Sequence, residues 1–290
     1  MKYIEMTTKS PTLADMRYHV ADMEIRIEET VETENYCRTR LQLQTTTCDP
    51  VDLYWVRPLS EGPWPLVVFL HWLEPEAKDS NATQFLPMAE ELASRGIASI
   101  LPDCFWSVDA DKYQLDSQFY RNQWWKTEVE ADTGLIRSQL QQLQLCLAYT
   151  RGQAVQDPSQ WVLAGHDFGA MFGILLSVLS QSFQALILMA ATGKFSDWFR
   201  FGSQLNEQEL ERYREALTPL DPLTHIGAIR QPVHLFFAED DVYVPAETAE
   251  ELFAAASEPK EVRYYQAQHG MNRTAFDDMK QLLLSYLTAS

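Results

Sequence analysis

The chain has 290 residues, 46% of them apolar, and a formal charge of −18, which is long enough for one large α/β domain with a full core. The charge argues against a polyanionic partner, because nucleic-acid binding needs a basic stripe that releases counterions and Lys and Arg nowhere cluster here. No uninterrupted apolar stretch approaches the length of a membrane helix, so no membrane partner is expected.

The first residues, Met1-Lys2-Tyr3-Ile4-Glu5-Met6-Thr7, lack the apolar core of a secretory signal. Cys37, Cys48, Cys104 and Cys146 are scattered without a C-x-x-C pair, a pattern that fits reduced thiols. A cytoplasmic protein, monomer or homodimer, is the expectation.

Residues 1 to about 20 carry no strong periodicity and are expected to form an irregular arm. Met23 to Val31, Arg38 to Thr46 and Val51 to Pro58 partly alternate apolar and polar residues, which predicts exposed antiparallel strands. The pattern then changes. Leu66 to Trp72 and Ile97 to Asp103 are short continuous apolar runs, as expected of strands buried on both faces. Phe85 to Arg95 between them reads as one helix stopped by Gly96. The loop from Cys104 to about Lys126 is rich in aromatic residues, Trp106 among them, and Thr127 to Thr150 carries Leu135, Leu140, Leu143 and Leu147 at helical spacing.

Further buried strands are predicted at Ala185 to Ala191 and Pro232 to Ala238, with a shorter one at Glu261 to Tyr265. The interval between the first two is too long for a simple crossover, so a helix plus a small cap insertion over 192–213 is expected. Helices are predicted at Pro245 to Ala256 and Arg273 to Leu287. Strand and helix alternate throughout, so residues 1–290 read as a single α/β domain, a mainly parallel doubly wound sheet with an antiparallel N-terminal part.

The stretch that organises the chain is Trp161-Val162-Leu163-Ala164-Gly165-His166-Asp167-Phe168-Gly169. It reads as strand, sharp turn and helix, the shape of a nucleophile elbow, with Gly165 and Gly169 supplying positions free of Cβ where helix must pack close to strand. Asp167 stands at the tip. In open α/β sheets ligands bind beyond the C-terminal strand ends. Asp241 follows one predicted strand and His269 another, giving the chain order nucleophile, acid, base.

From about Val51 onward the sequence resembles an α/β-hydrolase. The resemblance rests on the elbow, on Asp241-Val242-Tyr243-Val244-Pro245, on His269-Gly270 and on His71 after the Leu66 strand. Asp221-Pro222-Leu223-Thr224 through Pro245 looks most like dienelactone-hydrolase-type relatives, whereas Gly-His-Asp-x-Gly is similar to epoxide hydrolases and haloalkane dehalogenases.

The resemblance implies a catalytic set of Asp167, His269 and Asp241. It also implies an oxyanion hole from the backbone N–H of Phe168 with a second from Trp72 or Leu73, Trp72 standing where glycine is common. His71, His166, Trp106, Trp198 and Tyr243 are candidates for the substrate pocket. His71 is expected to shape the oxyanion loop and His166 to pack beside the elbow.

An aspartate attacking a carboxylic ester would form a mixed anhydride, whereas attack on an sp3 carbon of an epoxide or carbon–halogen bond forms an ordinary ester that His269-activated water can hydrolyse. The leading expectation is therefore an alkyl-enzyme route. The alternatives are an ester or lactone hydrolase with Asp167 as general base, and a non-hydrolytic lyase, cyclase or binding protein. No phosphate loop or metal-ligand spacing occurs, so neither cofactor nor metal is expected. The aromatic loops predict a small, uncharged, hydrophobic substrate.

Overall fold

The computed structural model describes residues 11–73, 79–104, 129–199 and 205–288. The partly alternating segments form β1 (Glu24–Glu32), β2 (Tyr36–Gln44) and β3 (Val51–Pro58), paired antiparallel. β1 is the exposed edge, rich in glutamate, and a register shift between Ile27 and Glu29 interrupts its ladder, devices that blunt an open edge. Of the arm expected over residues 1 to about 20, residues 1–10 lie outside the described ones, and the rest is irregular apart from one turn. Leu13–Met16 makes a 3-10 turn that buries Leu13 and Met16, and the Tyr18 N–H donates to Gln144 Oε1 at 3.0 Å.

The continuous apolar runs form β4 (Leu66–Leu70), β5 (Ala98–Pro102), β6 (Val162–His166), β7 (Ala185–Met189) and β8 (Val233–Ala238), and every residue in them is buried. β9 (Lys260–Tyr265) closes the other edge. The order in the nine-stranded sheet is β1-β2-β3-β5-β4-β6-β7-β8-β9. β5 meets β3 antiparallel, and the pairs from β5 to β9 are parallel. Strand succession reverses at β4, with β5 on one side and β6 on the other. The crevice beyond the C-terminal ends of β4 and β6 is thus the topological switch point, where such sheets bind ligands.

Nine helices stand among the described residues: α1 (Ser80–Gln84), α2 (Leu86–Ala93), α3 (Val129–Arg151), α4 (Phe168–Ser180), α5 (Phe195–Phe199), α6 (Glu207–Leu217), α7 (Pro222–His225), α8 (Ala246–Ala255) and α9 (Arg273–Leu287). The helix expected over Phe85 to Arg95 is α2, and the short α1 ahead of it was not expected. Phe85 ends α1 and begins α2, because Pro87 in the new first turn has no N–H to continue the ladder of the preceding helix. α5 and the start of α6 fall in the expected 192–213 insertion, of which 200–204 lie outside the described residues, as do 105–128 of the aromatic loop.

The pleat sends alternate side chains to opposite faces. Leu66, Val68 and Leu70 of β4 join the core under α3 and α4, while Val67 and Phe69 join the core under α2 and α9. The four cysteines are buried and free. Among the described residues, no helix is long and apolar enough to cross a membrane.

Candidate active site

Leu163, Ala164 and Gly165 carry the chain up β6, and α4 leaves at Phe168. Asp167 bridges the two with φ 55° and ψ −119°, a left-handed conformation that side chains avoid unless the surroundings impose it. Those surroundings are visible. The Asp167 N–H donates to Met189 O of β7 at 2.8 Å, and its C=O accepts from Met171 N–H at 3.0 Å. A Cβ on Gly165 would stand 2.7 Å from Gly169 O, and one on Gly169 would collide with the Leu70 carbonyl. Only glycine lets α4 press this closely on β4 and β6.

His269 follows β9 and Asp241 follows β8, so both come to the crevice from neighbouring strands. His269 Nδ1 lies 2.8 Å from Asp241 Oδ2, and its Nε2 lies 3.7 Å from Asp167 Oδ1. The second distance is an ion-pair separation, longer than a hydrogen bond. Asp241 is held in turn, its Oδ1 accepting the N–H groups of Tyr243 at 2.8 Å and Val244 at 3.0 Å.

Burial opposes the imidazolium, but the charge of Asp167 and the hydrogen bond and charge of Asp241 outweigh it and raise His269 to about 9. Burial likewise opposes charge on Asp241, and the bonds from His269 and the two backbone N–H groups more than offset it, leaving its pKa below the ordinary carboxylate value. At neutral pH the free site therefore holds an imidazolium between two carboxylates.

The loop after β4 supplies backbone donors, and the structure distinguishes the two candidates. Leu73 N–H points at Asp167 Oδ2 across 3.5 Å. The Trp72 N–H instead donates to Gln84 Oε1 at 2.9 Å, so Trp72 is not the backbone donor expected of it. Phe168 occupies the first position of α4, and its side chain is buried against Trp198 and Phe199.

A cavity of about 330 Å³ opens over these groups, lined by Trp72, Leu73, Asp167, Trp198, Tyr243 and His269, with Asp240, Val242, Gln268 and Gly270 at its margins. Trp198 packs on Tyr243, centroids 5.7 Å apart, and on His269 at 5.6 Å. Two of the expected pocket residues stand elsewhere. His71 is fully buried, its Nδ1 2.9 Å from Trp72 O and its Nε2 accepting the Cys104 N–H at 3.2 Å; it fixes the loop and does not line the cavity. His166 is fully buried behind Trp72, which stacks on it at 5.1 Å, and its Nε2–H donates to His269 O at 2.9 Å. Burial, assisted by the charge on His269, pushes His166 down to about 3, so the ring stays neutral.

Trp106 lies outside the described residues. Asp240, Val242, Gln268 and Gly270 were not among the pocket residues expected from the sequence. Their signal was adjacency to Asp241 and His269, since neighbours in a strand-end loop share its crevice. Among the described residues no cluster of His, Cys, Asp and Glu could hold a metal ion.

A family model described as the dienelactone hydrolase family matches residues 51–281. No curated protein matches the sequence. Among solved structures, an acetyl xylan esterase from Paenibacillus sp. R4 is 15% identical, with 95% of this chain and 91% of that chain covered at a TM-score of 0.70. Acetyl xylan esterase 1 from Thermoanaerobacterium sp. JW/SL YS485 is 15% identical, with 94% and 90% covered at 0.71. The α/β hydrolase GrgF from Penicillium sp. sh18 is 14% identical, with 87% and 99% covered at 0.60. At such identities the likeness establishes the fold, an α/β-hydrolase sheet with a parallel core, antiparallel N-terminal strands and flanking helices.

Proposed function

Because the chain belongs to the dienelactone hydrolase family, we propose that it hydrolyses small uncharged carboxylic esters or lactones, with Asp167 as general base and His269 as general acid. The observation that carries this reading is the placement of His269 between Asp241 at 2.8 Å and Asp167 at 3.7 Å, at the floor of a cavity. An imidazolium cannot take a proton from water, but it can give one to a leaving oxygen. A water oxygen can stand about 2.8 Å from both Asp167 Oδ1 and His269 Nε2. Asp167 draws its proton as it attacks the carbonyl carbon, and the oxyanion turns toward the N–H groups of Leu73 and Phe168. The tetrahedral centre then collapses, and the leaving oxygen takes the Nε2 proton. The two acetyl xylan esterases support ester chemistry on this fold. The cavity disfavours an anionic substrate: its described lining holds no Lys or Arg and includes Asp167 and Asp240.

A second reading is favoured by one contact. Asp167 Oδ2 already faces the Leu73 N–H at 3.5 Å, as the carbonyl of an alkylated Asp167 would during attack by water. In that route Asp167 opens an epoxide or displaces a halide at an sp3 carbon, and the loss of its charge lowers the His269 pKa enough to make it a base. Single turnovers in H2-18O separate the two. General-base hydrolysis puts solvent label into the carboxylic acid product and none into Asp167. Label in the peptide bearing Asp167, with an unlabelled first-turnover alcohol, would sink the general-base reading and establish the covalent one.

A further inference from the structure

We propose that the Trp198 Nε1–H is the second hydrogen-bond donor to the leaving oxygen, and that it suits the site to unactivated alkyl esters and lactones. The inference rests on the ester reading above. Trp198 is 3% exposed, yet its Nε1–H has no hydrogen-bond partner among the described residues. A buried indole N–H ordinarily finds one, because leaving a donor unpaired away from water is costly. Its ring lines the cavity, and the other lining side chains with buried unpartnered polar atoms are Asp167, through Oδ1, and His269, through Nε2. One acceptor and two donors are thus carried by side chains that line one cavity.

The ring is also fixed. It packs on Tyr243 with planes 25° apart and on Phe168 at 5.4 Å, and its centroid stands 5.6 Å from that of His269. α5, which carries it, is anchored where Asp221 Oδ1 accepts the Phe195 N–H at 2.9 Å. A donor immobilised beside the imidazolium is placed to meet charge on the same side of the reacting carbon. As the acyl C–O bond breaks, its electron pair goes to the leaving oxygen, which takes the proton of His269 Nε2. Trp198 keeps its own proton and stabilises the charge that the transfer has not yet cancelled. Such help matters most when the leaving alkoxide is strongly basic, and little for a nitrophenolate that departs unaided.

The test compares ethyl butyrate and 4-nitrophenyl butyrate. Trp198→Phe, which keeps an aromatic wall but lacks the donor, is expected to lose about tenfold in kcat on the ethyl ester and less than about threefold on the nitrophenyl ester. Placing β-(3-benzothienyl)alanine at position 198, with sulfur in place of the N–H, keeps the full ring and should reproduce this split even if the phenylalanine variant folds poorly. Equal losses on both esters would mean that the ring only packs, and would overturn the assignment while leaving the ester reading intact. A wild-type protein that hydrolyses neither ester, nor simple lactones, would overturn the ester reading and this inference with it.

Discussion

The proposed chemistry turns on one side chain. His269 is charged in the free site because two carboxylates flank it, and in the proposed ester hydrolysis, which needs its proton, its raised value of about 9 sets the alkaline limit. The sign is that of a raised pKa: the charged form is present at neutral pH and is lost as pH rises through about 9. Activity on a neutral ester is therefore expected to hold through neutral pH and fall on the alkaline side near that value. Asp241→Asn removes one flanking charge and should move the limb to lower pH, as well as cutting kcat. A pH–rate profile of both proteins checks this, and an alkaline limb that stays put in the variant would count against His269 as the acid. His269 and Asp241 were legible in the sequence because each follows a strand in the expected order. The neutrality of His166 was not, since it follows from full burial among side chains distant in the chain, Trp72, His269 and Phe276 among them.

Among elements, the strand-turn-helix at Asp167 depends on how closely α4 approaches β4. Gly169→Ala places a methyl against the Leu70 carbonyl, which backbone cannot yield cheaply, so a loss of at least about 1–3 kcal/mol is expected. Gly134, inside α3, offers the contrast: an added Cβ meets nothing within 4 Å, and Gly134→Ala should stabilise by about 0.5–1 kcal/mol through helix propensity. Denaturant melts of the two variants measure both, and a Gly169→Ala protein as stable as the wild type would refute the close-packing account. The glycines' reason could be read from the sequence because it is local. The helix α2 was legible in the apolar spacing of Leu86, Ala89, Leu92 and Ala93, whereas the short polar α1 ahead of it carries no such spacing.

At the scale of the whole molecule, the charge of −18 and the carboxylates of Asp167 and Asp240 at the cavity disfavour anionic substrates. A lactone carrying a free carboxylate should be turned over at least about tenfold less efficiently than its methyl ester, the gap narrowing with added salt as charges are screened. Comparing kcat/KM for the pair at two ionic strengths checks this, and preference for the acid would reverse the view of the pocket. The sequence by itself determined the strand order of events along the chain, the antiparallel entry, the fully buried parallel strands and the elbow, because each is imposed by local periodicity or by a glycine's missing side chain. Only the tertiary structure decided which loop donor faces Asp167, Leu73 and not Trp72, and which aromatic residues wall the cavity, Trp198 and Tyr243 and not His71 or His166. Those choices depend on contacts such as Gln84 with Trp72, or His166 with the His269 carbonyl, between residues far apart in the chain, whose side-chain directions no one-dimensional pattern encodes.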